Sequence, residues 1–131
     1  MSSVTGFRIS PQQASWWRNA QMSENSPSAT WLQLEVLRPV VPGALQQRLT
    51  ELSAREEILR TRLHRSAGMA QPLQIIAEQA DIPLTIEDLQ SLPQPEHAVR
   101  LEALLQKTIT SGPLEVWLLQ LSAERWSLTL R

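Results

Sequence analysis

The chain has 131 residues, 42% of them apolar, enough for one modest core and a single domain over 1–131, and too apolar for intrinsic disorder. Twelve Lys and Arg against thirteen Asp and Glu leave a net charge of −1, without the basic excess that a phosphate-binding surface needs, which argues against a nucleic-acid partner. With no cysteine there can be no disulfide, thiolate nucleophile or cysteine-based zinc site.

The opening Met1-Ser2-Ser3-Val4-Thr5 has neither the basic nor the apolar stretch of a signal peptide, so a cytoplasmic protein is expected. Residues 1–9 are polar, with Phe7 and Ile9 alternating, and read as an extended lead-in. Ser10-Pro11 then starts a helix, Ser10 as N-cap and Pro11 at the first helical position, running to about Gln21 and packed by Trp16 and Trp17. Residues 23–30 form a loop by composition.

Leu32, Leu34 and Val36 recur at period two, which predicts a strand over 31–37 with one buried face. Pro42 opens a helix over 42–57 with Leu45, Leu49 and Leu52 on its apolar stripe. Thr61–His64 and Pro72–Ile76 read as a hairpin turned by Ser66-Ala67-Gly68. Residues 81–89 combine a short strand with a helical turn, and Pro93 and Pro95 bracket a linker.

A helix is expected from Glu96 to about Thr110, carrying Val99, Leu101, Leu104, Leu105 and Ile109 and stopped by Gly112-Pro113. Leu114–Leu121 and Trp126–Arg131 read as two strands joined by a turn at Ser122–Arg125. The order helix, strand, helix, hairpin, helix, hairpin predicts an α+β layer fold. No apolar run approaches the roughly 20 residues that span a bilayer, so no membrane partner is expected.

Two histidines are present. His64 on a hairpin strand reads as a surface or satisfied residue, and His97 as a solvated first-turn residue beside Glu96. No Ser-His-Asp or metal-ligand spacing is recognisable, and four scattered glycines make no phosphate loop, so no catalytic or metal-binding residue is assigned. The charges of Ala54–Leu63 bridge a helix end and a strand start. Either Arg55 and Arg60 sit at the negative end of the helix dipole, or a buried Arg paired with a carboxylate holds two elements together. The five tryptophans are core residues, or Trp16, Trp17 and Trp126 form part of an apolar contact surface.

Ser10-Pro11-Gln12-Gln13-Ala14-Ser15-Trp16-Trp17 resembles the Ser-Pro-Ala-Gln-x-Arg-Leu-Trp motif that opens nonribosomal peptide synthetase condensation domains, matching at Ser10, Pro11, Gln13 and Trp17. Arg55-Glu56-Glu57-Ile58-Leu59-Arg60-Thr61 resembles the family's Arg-His-Glu-x-Leu-Arg-Thr motif, with Glu56 in place of the His. Gln71–Ile76 and the hairpin ending at Leu130 resemble segments that follow in the same order, so the likeness covers most of 7–131.

The resemblance implies a partial N-lobe of the chloramphenicol-acetyltransferase-like fold, with an antiparallel or mixed sheet and helices packed on it. It implies the N-terminal part of an acyltransferase domain that joins a carrier-bound acyl group to a carrier-bound amine in secondary-metabolite synthesis. The chain would end before the His-His-x-x-x-Asp-Gly motif, as a fragment or split half that is not catalytic alone. The alternative is a docking module for a carrier protein or synthetase subunit.

No directly bound cofactor is implied. The implied partners are the remainder of the domain and a carrier protein loaded with phosphopantetheine. Ser10, Gln13 and Trp17 would pack the first motif, and Arg55, Glu57 and Arg60 would brace the active site. Arg60 would hold the Asp of the missing motif, with Arg55 as second choice; without that Asp it is expected to be exposed or paired with Glu57. The strand Trp126–Leu130 is expected to present a sticky edge and to drive self-association.

Overall fold

The computed structural model describes residues 5–22, 30–106 and 112–131. Its elements follow as β1 (Gly6–Arg8), α1 (Pro11–Met22), β2 (Leu32–Val36), α2 (Pro42–Arg55), a 3-10 turn (Glu57–Arg60), β3 (Thr61–His64), β4 (Leu73–Ile76), β5 (Leu84–Asp88), α3 (Gln94–Leu105), β6 (Val116–Gln120) and β7 (Trp126–Leu130). The expected loop over 23–30 falls almost wholly outside the described residues, as does the expected last turn of α3 with Ile109.

The strands form two sheets. The smaller has the order β1-β4-β3, antiparallel throughout, and the larger the order β2-β7-β6-β5. Both predicted hairpins form: β3 with β4, and β6 with β7 in the register Val116↔Leu130 to Gln120↔Trp126. At the first hairpin's turn the Met69 amide donates to the Ser66 carbonyl at 3.2 Å, and Gly68 takes φ +85°. That φ is the one a type II turn needs at its third residue, where a Cβ is disfavoured. The parallel β5–β6 pair, with α3 as its crossover, was not anticipated by the period-two pattern, nor was the β1–β4 pair.

The core explains why β6 reads as an unbroken apolar run. Successive side chains of a strand face opposite sides of its sheet. Val116 packs with Leu49, Ile82 and the half-buried Leu45, Leu84, Leu128 and Leu130, a cluster that seats α2 on one face. Trp117 and Leu119 pack with Leu89, Leu101 and Leu104, which seats α3 on the other. A strand covered on both faces has no need to alternate. Each of the fully buried large side chains among them contributes about 1.5–3 kcal/mol by leaving water, and the half-buried ones less.

Several sequence expectations are corrected. β7 is not an edge: it lies between β2 and β6 and pairs with both, so its backbone groups are used on both sides and it offers no sticky strand for self-association. The edges are β2 and β5, and the expected buried face of β2 is open, with Leu32 53% and Leu34 43% exposed. Helix α1 has no buried residue and Trp16 is 41% exposed, so its indoles do not pack it into a core. Trp126, by contrast, is buried, which removes it from any contact surface. The stretch expected to be a linker starts α3, with Pro95 in the first turn where a missing amide costs nothing.

Candidate functional site

The first-motif residues form a closed polar network. The Gln13 amide donates to Ser10 Oγ at 3.1 Å, and the Ser10 amide donates to Gln13 Oε1 at 2.8 Å. This is a capping box with Gln at the third helical position, and it satisfies two donors at the start of α1. Gln13 Nε2 then donates to Gln74 Oε1 at 3.1 Å, and Gln74 Nε2 donates to the Arg8 carbonyl at 2.9 Å. Ser10 and Gln13 thereby tie α1 to β4 and β1. Trp17, half-buried, follows Gln13 by four residues on the same helix face.

The second-motif residues separate in role. Arg60 is half-buried: its Nε donates to the Ser53 carbonyl at 2.9 Å and its Nη1 to the Ala77 carbonyl at 2.5 Å. Ser53 itself is 1% exposed and donates its hydroxyl to the Ala80 carbonyl, while the Ala77 amide returns a bond to the Arg60 carbonyl. One guanidinium therefore fastens the last turn of α2 to the end of β4. It does so through main-chain carbonyls, and no carboxylate pairs with it among the described residues. The expectation that Arg60 is exposed or paired with Glu57 is corrected.

Arg55 is exposed and pairs with Glu56 at 2.9 Å. Glu57 is exposed too, and its carbonyl accepts from the Thr61 hydroxyl at 2.8 Å. The structure does not bring Arg55, Glu57 and Arg60 into one ion-pair cluster. The first- and second-motif networks reach the β4 region at separate points, Gln74 within the strand and Ala77 just past its end.

The histidines divide likewise. His64 is exposed on β3. His97 is not solvated as expected: its Nε2 lies 2.9 Å from the Leu89 carbonyl and 3.0 Å from the Leu92 carbonyl, so a proton on Nε2 serves both. His97 also lines a cavity of about 440 Å³ between α3 and the β2–β7 side of the sheet, with Trp31, Gln33, Leu101, Arg125 and Ser127. Its lining mixes apolar and polar side chains: Gln33 Nε2 donates to the buried Ser127 Oγ at 3.2 Å, and Arg125 pairs with Glu35. It holds no nucleophile–base pair, and among the described residues no group of three acidic or histidine side chains could hold a metal ion.

Sequence reasoning missed the ends of β6 and β7. Glu115 and Arg131 pair at 3.0 Å with only 7% of either side chain exposed. Arg131 Nη1 also donates to the Leu105 carbonyl at 2.5 Å, and its guanidinium carbon stands 4.8 Å from the Trp117 ring centroid. Opposed charges at the outer ends of two paired strands were the available signal. A polar pair at strand ends ordinarily reads as solvated, whereas here Arg131 bonds to the end of α3 and the pair is buried.

No protein-family model matches the sequence, and no curated protein matches it. Solved structures do match it. The first condensation domain of the calcium-dependent antibiotic synthetase, in complex with a substrate analogue, superposes with a TM-score of 0.79 at 20% identity, over 96% of this chain and 32% of that one. A mutant of the starter condensation domain of rhizomide synthetase in complex with C8-CoA gives a TM-score of 0.81 at 19% identity, over 96% and 30%. The X-domain in its complex with OxyB from teicoplanin biosynthesis gives 0.76 at 21% identity, over 99% and 28%. The chain has the fold of part of a condensation domain, and spans about a third of the length of the solved chains it matches.

Proposed function

We propose that this chain is the N-terminal part of a condensation-type domain of a nonribosomal peptide synthetase, residues 1–131 preceding the histidine motif. The observation that carries the reading is a coincidence of two independent lines. The Ser10–Trp17 and Arg55–Thr61 motifs stand in the family's order, and the fold built around them is the condensation-domain fold over 96% of the chain. In the reaction proposed, an amine on one carrier attacks the acyl thioester on another; an amide bond forms, the carbon–sulfur bond breaks, and the carrier's phosphopantetheine thiol leaves with a proton.

None of the described residues is assigned to touch the reacting atoms. Arg60 braces: Nε and Nη1 are held on the Ser53 and Ala77 carbonyls, and the guanidinium has further N–H groups with which to receive the Asp of the histidine motif. The setting that goes with this reading is a cytoplasmic synthetase. The test is to mix the chain with a separately produced remainder of the domain, supply loaded carriers, and assay amide formation. Amide formed only by the mixture supports the reading; none under any ratio of the two parts sinks it.

A second reading has one observation in its favour: the X-domain match is to a domain seen in complex with another protein, OxyB. On that reading the chain is a docking module for a carrier protein or synthetase subunit. A titration of labelled chain with a carrier protein, with no remainder present, separates the two: shifts saturating at micromolar carrier support docking by the chain itself.

A further inference from the structure

We infer that Arg131 is a positioning residue, which locks the end of β7 against the end of α3 and so fixes where the segment continuing from β7 leaves the sheet. The inference rests on the proposed function, in which that segment brings the reacting groups. Its physical basis is on the strand. Arg131 follows Ser127 and Thr129 on the α3 face of the sheet, and its amide and carbonyl exchange bonds of 3.0 and 2.9 Å with Glu115. The ladder is thus complete to residue 131.

The guanidinium adds a fork that no backbone bond supplies. Nη2 reaches Glu115 in front of β6 at 3.0 Å, Nη1 reaches the Leu105 carbonyl at the C-terminal end of α3 at 2.5 Å, and the plane lies near Trp117. The negative end of the α3 dipole favours a cation there.

A buried ion pair is a poor device for stability alone. Desolvating both charges costs several kcal/mol, and aliphatic residues of equal volume commonly do as well or better. Leu101, Leu104 and Trp117 already make this face apolar, so a further aliphatic pair would suit it. What two aliphatic side chains cannot do is fix three chain segments at one angle. An arginine fork bridging a carboxylate and a carbonyl does this, and a lysine, with one compact ammonium, cannot span both acceptors.

The test uses Arg131→Met, which keeps the volume of the stem, Arg131→Lys, which keeps the charge, and Glu115→Gln, which keeps the shape. In the chain alone, amide exchange at Leu130 and Arg131 is expected to quicken at least tenfold in R131M. In the mixture with the remainder, kcat at saturating remainder is expected to fall at least tenfold in R131M with KM within a factor of about two. R131K should not rescue kcat, and E115Q should lie between. Unchanged exchange would overturn the lock itself. Faster exchange with unchanged kcat would overturn the positioning role while leaving the proposed function intact. A wild-type mixture that forms no amide would overturn the proposed function, and the positioning role with it, leaving only the lock. Should R131M fail to fold, R131K and E115Q carry the same readouts: full kcat in both overturns the inference.

Discussion

At the scale of single residues, the two arginines of the second motif differ because of what surrounds them. Arg55 pairs with Glu56 in water, where such a pair contributes between nothing and about 1 kcal/mol. Arg60 donates to the Ser53 and Ala77 carbonyls, and removing it takes that donor from both in a half-buried corner. Arg60→Ala is expected to cost about 2–3 kcal/mol, and Arg55→Ala less than about 0.5, by urea midpoints. Arg60→Lys should recover less than half, since one ammonium cannot reproduce the fork. Acid titration offers a second check. The Glu51 carboxyl is held below its usual 4.5, first by the hydrogen bond from Arg48 and then by that from Gln47. A depressed carboxyl stabilises the fold above its unfolded value and loses that contribution as pH falls through the folded one. The small stability difference between wild type and Glu51→Gln should therefore be present at neutral pH and vanish on acidification below 4.5. The sequence marked Arg60 but not its partners, because main-chain carbonyls are not residue types and leave no trace in a motif.

At the scale of elements, the caps and turns are where local sequence acts most directly. Ser10→Ala removes the acceptor for the Gln13 amide, a change that costs about 1 kcal/mol of helix stability. Because α1 buries no residue, that loss should appear as faster amide exchange in the first turn of α1, with the global unfolding midpoint nearly unmoved. An equally large shift of the global midpoint would show α1 to be coupled to the core. Gly68→Ala should act in the opposite manner. Open space surrounds a Cβ there, so the cost of about 1–2 kcal/mol comes from φ +85° alone and falls on the global transition, since the turn joins the edge strand β3 to β4, the central strand of their sheet. Both features were legible because they depend on neighbours three or four positions away. The pairing of β5 with β6, and of β1 with β4, was not: those partners are separated by whole elements, and nothing in either strand's own pattern names the other. The same gap explains the error at β7, whose alternation was correct and whose neighbour β2 stands about ninety residues earlier in the chain.

At the scale of the whole molecule, the uneven burial is the informative feature. The core lies where α2 and α3 sandwich β5, β6 and β7, while α1 and the outer face of β2 contribute almost nothing to it. Phe7, Trp16, Leu32, Leu34 and Ile86 all remain exposed, and of these Leu32 and Leu34 stand two residues apart on one face of the edge strand β2, where gathered apolar surface is the kind that meets a partner. In the proposed reading these faces meet the remainder of a domain about three times as long. The chain alone should then be a stable β5–β7 core with a loosely held α1. Amides of α1 should exchange at least a hundredfold faster than those of β6, in keeping with opening that exposes little apolar surface. Adding the remainder should slow α1 and β2 by at least tenfold and leave β6 unchanged. If α1 in the isolated chain is already as protected as β6, its exposed face is not waiting for a partner, and the case for an incomplete domain loses its structural support.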